Sequence, residues 1–363
     1  MGYFEDLGSR PEIKLGYATR AVPLEAMVGV AQSPPAPRVG DLVLAEVVSV
    51  GKNTRIEARN GNSYHLFEGD RVVGVFGNRY ATEQFEGYVP SGPVAECDML
   101  SIGGLCGELT SSHLAVARPT RLRVLGSVTG HEGEPLNTRD FALSPLEDPA
   151  GRRAAVIVSV GSSMDSGKTH TAGTISRALV RAGHRVAAAK ITGTAAGKDA
   201  RFFESCGASP VFDFTHAGYP STYMLGLDAL LGVYRSLVSH MLSGDPDYVV
   251  LEIADGILQR ETRMLLESGE FRSGVDHLFF SCGDSLSAGG GIRVLERYGI
   301  TPRAISGALT QSELAIRETE EFTGFSCMSP EQMLSGDLAG FLWDSRREEN
   351  AGFKGYAGER LSA

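Results

Sequence analysis

Residues 154–170, Ala-Ala-Val-Ile-Val-Ser-Val-Gly-Ser-Ser-Met-Asp-Ser-Gly-Lys-Thr-His, constrain the fold of this chain more than any other stretch. Ala154–Val160 is apolar but for Ser159, the pattern of a strand covered on both faces. The segment after it begins and ends in glycine, and helical periodicity follows near 168–182. The loop ends in Gly167-Lys168-Thr169, the close of the phosphate-loop pattern G-x-x-x-x-G-K-[ST]. Counting back from Gly167, that pattern expects its first glycine at position 162, which is Ser162; Gly161 lies one residue earlier. Each retained part has a physical task. Gly167 lets the backbone pass close to a phosphate with no Cβ in the way. Successive N–H groups from about Met164 to Lys168 form an anion nest, and the helix behind them adds its positive end. Lys168 reaches the outer phosphates as a point charge, and Thr169 offers a hydroxyl to Mg²⁺. The nucleotide contacts are expected over Gly161, Ser162, Ser163, Met164, Asp165, Ser166, Gly167, Lys168, Thr169 and His170. Asp165 would repel phosphate unless it faces the metal or a substrate, which makes it a candidate catalytic group; a solvated turn aspartate is the alternative.

The stretch around the loop repeats one rhythm. Apolar runs at 154–160, 185–189, 210–214, 248–253, 277–282 and 304–309 alternate with helical periodicity near 168–182, 198–206, 223–243, 260–268, 285–298 and 312–322. Strand and helix in alternation give an α/β fold with a parallel sheet, whose ligand sits at the carboxyl ends of the strands. The first half differs. Residues 1–38 read as an irregular extension, closed by the prolines of Gln32–Arg38 as a linker. From Val39 to about Leu125, short β-type runs are broken by glycine and asparagine, with Asn60-Gly61-Asn62 as a hairpin signal. This spacing predicts a β-rich barrel or sandwich over 39–150, with a Gly-, Asn- and Pro-containing junction at 126–150. The phosphate-loop domain is expected over 151–335, and a tail over 336–363.

Composition narrows the partners. The 363 residues carry a formal net charge of −10, which repels nucleic acid and anionic membranes and favours a small-molecule substrate. No apolar stretch is long enough to span a bilayer, and Met1–Lys14 has no signal-peptide pattern. The five cysteines and eight histidines show no metal-ligand spacing, so reduced, buried thiols in a cytoplasmic protein are the expectation. A homodimer stays open.

Gly161, five residues, then Gly167-Lys168-Thr169 is the spacing found in dethiobiotin synthetase, and residues 152–335 resemble that branch of P-loop NTPases. The branch includes cobyrinic acid amidating enzymes and the molybdopterin-guanine dinucleotide accessory NTPase. The chain is also similar to an uncharacterised bacterial family that joins an extra N-terminal domain to such a core. The resemblance implies roles for three further segments. Lys190, leaving the strand Ala187-Ala188-Ala189, would face the substrate and the transferred phosphate, with Thr192-Gly193-Thr194 beside it; a strand-end lysine reaching solvent is the alternative. Glu252, at the end of Tyr248–Ile253, resembles the acid that organises Mg²⁺, and Asp255 is a second candidate; two loop carboxylates that cap the next helix are the alternative. Thr310, and Ser329-Pro330 at the end of a further strand, would lie in the loops that cradle the adenine base. No Asn-Lys-x-Asp guanine motif occurs there, which favours ATP. His216 and Tyr219 occupy a strand-end loop and are candidates for substrate contact.

The expected chemistry is Mg-ATP-dependent phosphoryl transfer to a small molecule. A hydroxyl acceptor would make the protein a kinase; a carboxylate acceptor, or a carbamoyl phosphate, would make it a ligase. Three alternatives remain: a nucleotide-hydrolysing accessory or switch protein, a polynucleotide 5′-hydroxyl kinase, and a non-catalytic module with a vestigial loop.

Overall fold

A computed structural model describes residues 12–32, 36–147 and 154–343. The chain forms two compact units. One comprises 1–148 together with 190–202 and 212–240; the other comprises 149–189, 203–211 and 241–363.

The first unit is built on a sheet that returns to its starting strand. Arg71–Phe76 pairs with Leu42–Ser49, which pairs with Thr120–Thr129, then Glu96–Met99, then Leu105–Ser112. Leu105–Ser112 then pairs back onto Arg71–Phe76, with Leu105 opposite Val75. Closure into a ring removes the free edges such a sheet would otherwise expose. Alternation along Leu42–Ser49 shows how the ring is filled. Val43, Ala45 and Val47 enter one buried cluster with Val72, Phe76, Met99 and Leu122. Leu42 and Leu44 enter another, with Tyr17, Met27, Val73, Val75 and Val128. Period-two side chains buried on both faces explain why this run is apolar nearly throughout. The Asn60-Gly61-Asn62 signal is a turn, joining Arg55–Glu57 to Ser63–His65 in an antiparallel pair.

The region before residue 38 is more ordered than its composition suggests. Ile13–Leu15 pairs in parallel with Arg71–Phe76, and Gly29–Ala31 pairs antiparallel with Thr120–Thr129. Short 3₁₀ turns at Tyr17–Thr19 and Leu24–Ala26 lie between them. Tertiary pairing supplies the order that local propensity does not. The 126–150 region is likewise structured in part: the strand Thr120–Thr129 runs into it, and Asn137 caps a 3₁₀ turn at Thr138–Phe141. Pro34 and Pro35 of the expected linker, and residues 344–363 of the expected tail, lie outside the described residues.

Most of the parallel sheet lies in the second unit. From edge to edge its strands are Val211–Asp213, Val186–Lys190, Tyr248–Glu252, Ala155–Gly161, His277–Ser281 and Ala304–Ser306. Ala155–Gly161 is central, flanked in parallel by Tyr248–Glu252 and His277–Ser281. The helix that follows the loop, Lys168–Arg181, buries Ala172, Ile175 and Leu179 completely. Two expectations change here. The strand expected over 304–309 stops at Ser306, because Gly307 turns the chain at φ 95° into a 3₁₀ turn, Ala308–Gln311. Met328-Ser329-Pro330 does not end a strand: a single bridge joins Cys327 to Ile305, and Ser329 starts the helix Pro330–Ser335. None of the helices among the described residues is long and apolar enough to cross a membrane.

Candidate functional site

The loop between Ala155–Gly161 and Lys168–Arg181 is folded tightly enough to dictate its own glycines. A Cβ on Gly161 would lie 2.2 Å from Ser166 Oγ and 2.7 Å from Lys168 Cγ. Gly161 therefore does the work of the loop's first glycine from one position early, and Ser162, half-buried, can carry a side chain. Gly167 adopts φ 102°, and a Cβ there would press on Gly307 Cα at 2.8 Å. Asp165 also takes a left-handed conformation, with φ 55°. Its carboxylate is exposed and makes no hydrogen bond or ion pair with the described residues. Ser163 is exposed, Met164 half-buried and His170 exposed at the start of the helix.

Hydrogen bonds fix this loop to the strands around it. Ser162 N donates to Ser281 O at 2.9 Å, and Ala308 N to Ser166 O at 3.0 Å. Ile257 N donates to Gly161 O at 2.8 Å. Lys168 is only 6% exposed, and its Nζ donates to Ser163 O at 2.6 Å inside the loop. Ser159 Oγ donates to Lys168 O at 3.0 Å, tying the first turn of the helix back to the central strand. The outcome is a set of N–H groups and one ammonium gathered at a helix N-terminus, the arrangement that holds an anion.

One pairing joins the loop to the neighbouring strand. Thr169 Oγ1 donates to Glu252 Oε1 at 2.9 Å, and Glu252 is 1% exposed. The register explains it: Glu252 lies opposite Ser159, so both strands end at the level of the loop. Asp255 is half-buried just beyond, after a cis Ala254–Asp255 peptide bond. The carboxylate that touches the loop threonine is thus that of Glu252. Among the described residues no three His, Cys, Asp or Glu side chains cluster as a metal cage. A hydroxyl and a carboxylate in contact suit a hard cation that takes its other oxygens from phosphate and water, which is how Mg²⁺ is held.

Of the two base-side segments, the one holding Thr310 reaches the loop through its backbone. Gly307 and Ala308 abut Gly167 and Ser166, and Thr310, 7% exposed, donates its hydroxyl to Gly307 O at 2.8 Å. Ser329 accepts from Gln332 N at 3.2 Å as a helix cap, with Pro330 in the first turn. The sequence reading missed a buried run of hydroxyls behind the loop. Ser281 Oγ donates to Thr171 Oγ1 at 3.0 Å, Thr171 Oγ1 to Ser306 Oγ at 3.3 Å, and Ser306 Oγ to Met328 O at 2.9 Å. Small hydroxyl residues at the ends of apolar strands were the only signal for it.

The remaining candidates belong to the first unit. Lys190 ends its strand and pairs with Asp199. Thr192 is buried, Gly193 N donates to Thr222 Oγ1 at 2.9 Å, and Thr194 bridges to Ser221. Tyr219 lies under the Arg139 guanidinium, 4.0 Å from ring centroid to carbon. His216 belongs to a network around Asp213, a carboxylate 3% exposed. Tyr17 Oη donates to Asp213 Oδ2 at 2.6 Å, Thr215 N donates to Oδ1 at 2.9 Å, and His216 Nδ1 stands 3.4 Å from Oδ1. Arg20 approaches Asp213 at 3.5 Å and His216 Nε2 at 3.1 Å. Burial opposes the charge on Asp213, but the His216 hydrogen bond and Arg20 outweigh it and hold the carboxyl well below the usual range. His216 thus has a structural neighbour set that its loop position in the sequence did not reveal.

No family model matches this chain, and no curated protein does. Among solved structures it is similar to the 54 kDa signal recognition particle protein of Aeropyrum pernix K1 in complex with GDP, at 19% identity and a TM-score of 0.37, over 58% of this chain and 52% of that one. The signal recognition particle receptor FtsY of Elizabethkingia anophelis matches at 14% identity and 0.34, over 54% of this chain and 68% of that one. A ParA family ATPase of Chlorobium tepidum TLS matches at 13% identity and 0.33, over 55% of this chain and 97% of that one. The chain spans about half the length of the first of these. The parallel α/β sheet and its strand–loop–helix turn stand on their own strand order and loop geometry, and not on these distant likenesses.

Proposed function

We propose that the second unit binds a nucleoside triphosphate with Mg²⁺ and that the protein transfers the γ-phosphoryl group to a small-molecule acceptor. The observation that carries this reading is the Thr169 hydroxyl on the buried Glu252 carboxylate, beside the glycine-bounded loop at the helix N-terminus. On binding, the loop N–H groups would take the β-phosphate, and Lys168 Nζ would exchange the Ser163 carbonyl for phosphate oxygens. Thr169 and Glu252 would hold the metal, which supplies charge neutralisation to the phosphates. Asp165, exposed at the loop's tip, is free to orient toward a substrate. The lack of a guanine motif supports ATP over GTP. The spacing from Gly161 to Thr169 supports a place near the dethiobiotin synthetase branch, and with it a kinase or ligase.

One observation favours a second reading, a nucleotide-hydrolysing switch or accessory protein. Lys190, the residue proposed to meet the acceptor, has its charge matched by Asp199. A paired experiment separates the readings. Lys168→Ala should abolish most Mg-ATP affinity, measured by calorimetry, with the fold intact; unchanged affinity refutes the loop assignment. Lys190→Met should leave ATP affinity intact. In an enzyme it should lower acceptor-stimulated ADP release by about 10²-fold, the usual scale for removing one transition-state charge. Basal hydrolysis that is unchanged in Lys190→Met and unstimulated by any small molecule supports the switch.

A further inference from the structure

Two threonines in the first turn of the helix Lys168–Arg181 bond to opposite sides of the central strand. At about 100° per residue, positions 169 and 171 stand about 200° apart around the helix. Thr169 meets Glu252, on the Tyr248–Glu252 side. Thr171 meets Ser281 and Ser306, which end the two strands on the other side. This second contact is fully buried, with Ser281 and Ser306 at 0% exposure and Thr171 at 2%.

The far end of the run sets its direction. A carbonyl only accepts, so Ser306 Oγ donates to Met328 O at 2.9 Å. Each hydroxyl has one proton, so Ser306 receives from Thr171 at 3.3 Å, and Thr171 from Ser281 at 3.0 Å. A hydroxyl that needed only some partner would bond back along its own helix, as Ser176 Oγ does to Ala172 O at 2.9 Å. Thr171 reaches out of the helix to the strands instead.

The run holds the two segments beside the loop. Ser306 is followed by Gly307, where a Cβ would lie 2.2 Å from Ser166 O, so this turn rests directly on the phosphate loop. Met328 N donates to Ile305 O at 2.8 Å, so the same strand carries the 327–330 segment along its edge. At about 4.8 Å per strand, Ala304–Ser306 lies roughly 10 Å from the central strand. Metal and outer phosphates are assigned to the Glu252 side, which leaves this other side of the loop for the nucleoside.

We propose that Thr171 and Ser306 are positioning residues for the nucleoside end of the nucleotide. Their hydrogen bonds keep the 307–311 and 327–330 backbone in one register with the phosphate loop, so that the nucleoside subsite holds a fixed distance from the phosphate subsite. This role rests on the nucleotide reading above and adds to it the device that ties the two subsites together.

The test compares two ligands on the full chain, by calorimetry in Mg²⁺ buffer. One is ATP; the other is inorganic tripolyphosphate, which offers the loop its phosphates and lacks a nucleoside. Thr171→Val keeps the side chain's shape and removes its hydroxyl. It should weaken ATP binding by about three- to tenfold, the usual worth of a neutral hydrogen bond, and leave tripolyphosphate within about twofold of the parent. Thr171→Ser restores the hydroxyl and should recover ATP binding. Ser306→Ala removes a single oxygen and should show the same selective loss; if Thr171→Val does not fold, Ser306→Ala decides alone. Unchanged ATP affinity in these variants overturns the proposal. So does an equal loss of ATP and tripolyphosphate, which would make the hydroxyls supports of the phosphate loop alone. In both cases a parent that binds the two ligands keeps the nucleotide reading standing, whereas a parent that binds neither refutes that reading and this role together.

Discussion

Replacing Glu252 by Gln tests the metal assignment at its most specific point. The substitution keeps the side chain's volume at a position 1% exposed, and its amide oxygen can still accept from Thr169 Oγ1 across the present 2.9 Å. Only the negative charge is lost. A hydrogen bond to a charged partner in a buried setting is worth about 1.5–3 kcal/mol, so the Mg²⁺ requirement should rise by roughly 10- to 150-fold. The assay is ADP release against Mg²⁺ concentration at fixed ATP, together with nucleotide binding in EDTA. The first curve should move to higher Mg²⁺, while metal-free binding stays near that of the parent. Thr169→Val adds a second edge. If Thr169 and Glu252 hold one ion, the double variant should cost clearly less than the sum of the singles, because contacting residues are not additive. An unchanged Mg²⁺ curve in Glu252→Gln would refute the shared metal site and leave the pair as a structural hydrogen bond, whereas strict additivity with Thr169→Val would refute any coupling between the two residues.

Two further outcomes follow from the second unit. Gly161→Ala should weaken nucleotide binding markedly while Ser162→Ala does so little, because a Cβ at 161 meets Ser166 Oγ at 2.2 Å; equal effects in a fluorescent-nucleotide titration would show that Gly161 is not the loop's working glycine. Burial, opposed by Asp276 and helped by Arg303, lowers the His277 imidazole from its ordinary 6.5 to about 4. The unfolded chain therefore takes up this proton first as pH falls, so the contribution is complete above 6.5 and is lost toward 4, by at most about 3 kcal/mol. Urea unfolding at pH 7.5 and pH 5 should show His277→Leu losing less stability on acidification than the parent, and equal losses would mean that the imidazole is not held neutral.

How much of this was legible in the sequence varies with the range of the interaction that decides it. The run Ala154–Val160 and Gly167-Lys168-Thr169 determined a central strand, a phosphate loop and a helix start, because glycine freedom and apolar periodicity are properties of consecutive residues. The six apolar runs likewise correspond to the six strands of the parallel sheet. Long-range pairing decided the rest. Ile13–Leu15 is a strand because Arg71–Phe76 offers it an edge, not because three residues prefer one. The return of Leu105–Ser112 onto Arg71–Phe76, which makes the β-rich sheet a ring, leaves no local mark. The same holds for charge. Lys190 could be placed at a strand end from sequence, but its partner Asp199 depends on how the following segment folds back. Arg79 is distant from Lys52 and Arg55 in sequence, and only the tertiary structure brings all three around one cavity. Ring closure and charge clustering are set by which distant segments share a wall, and sequence spacing does not encode that distance.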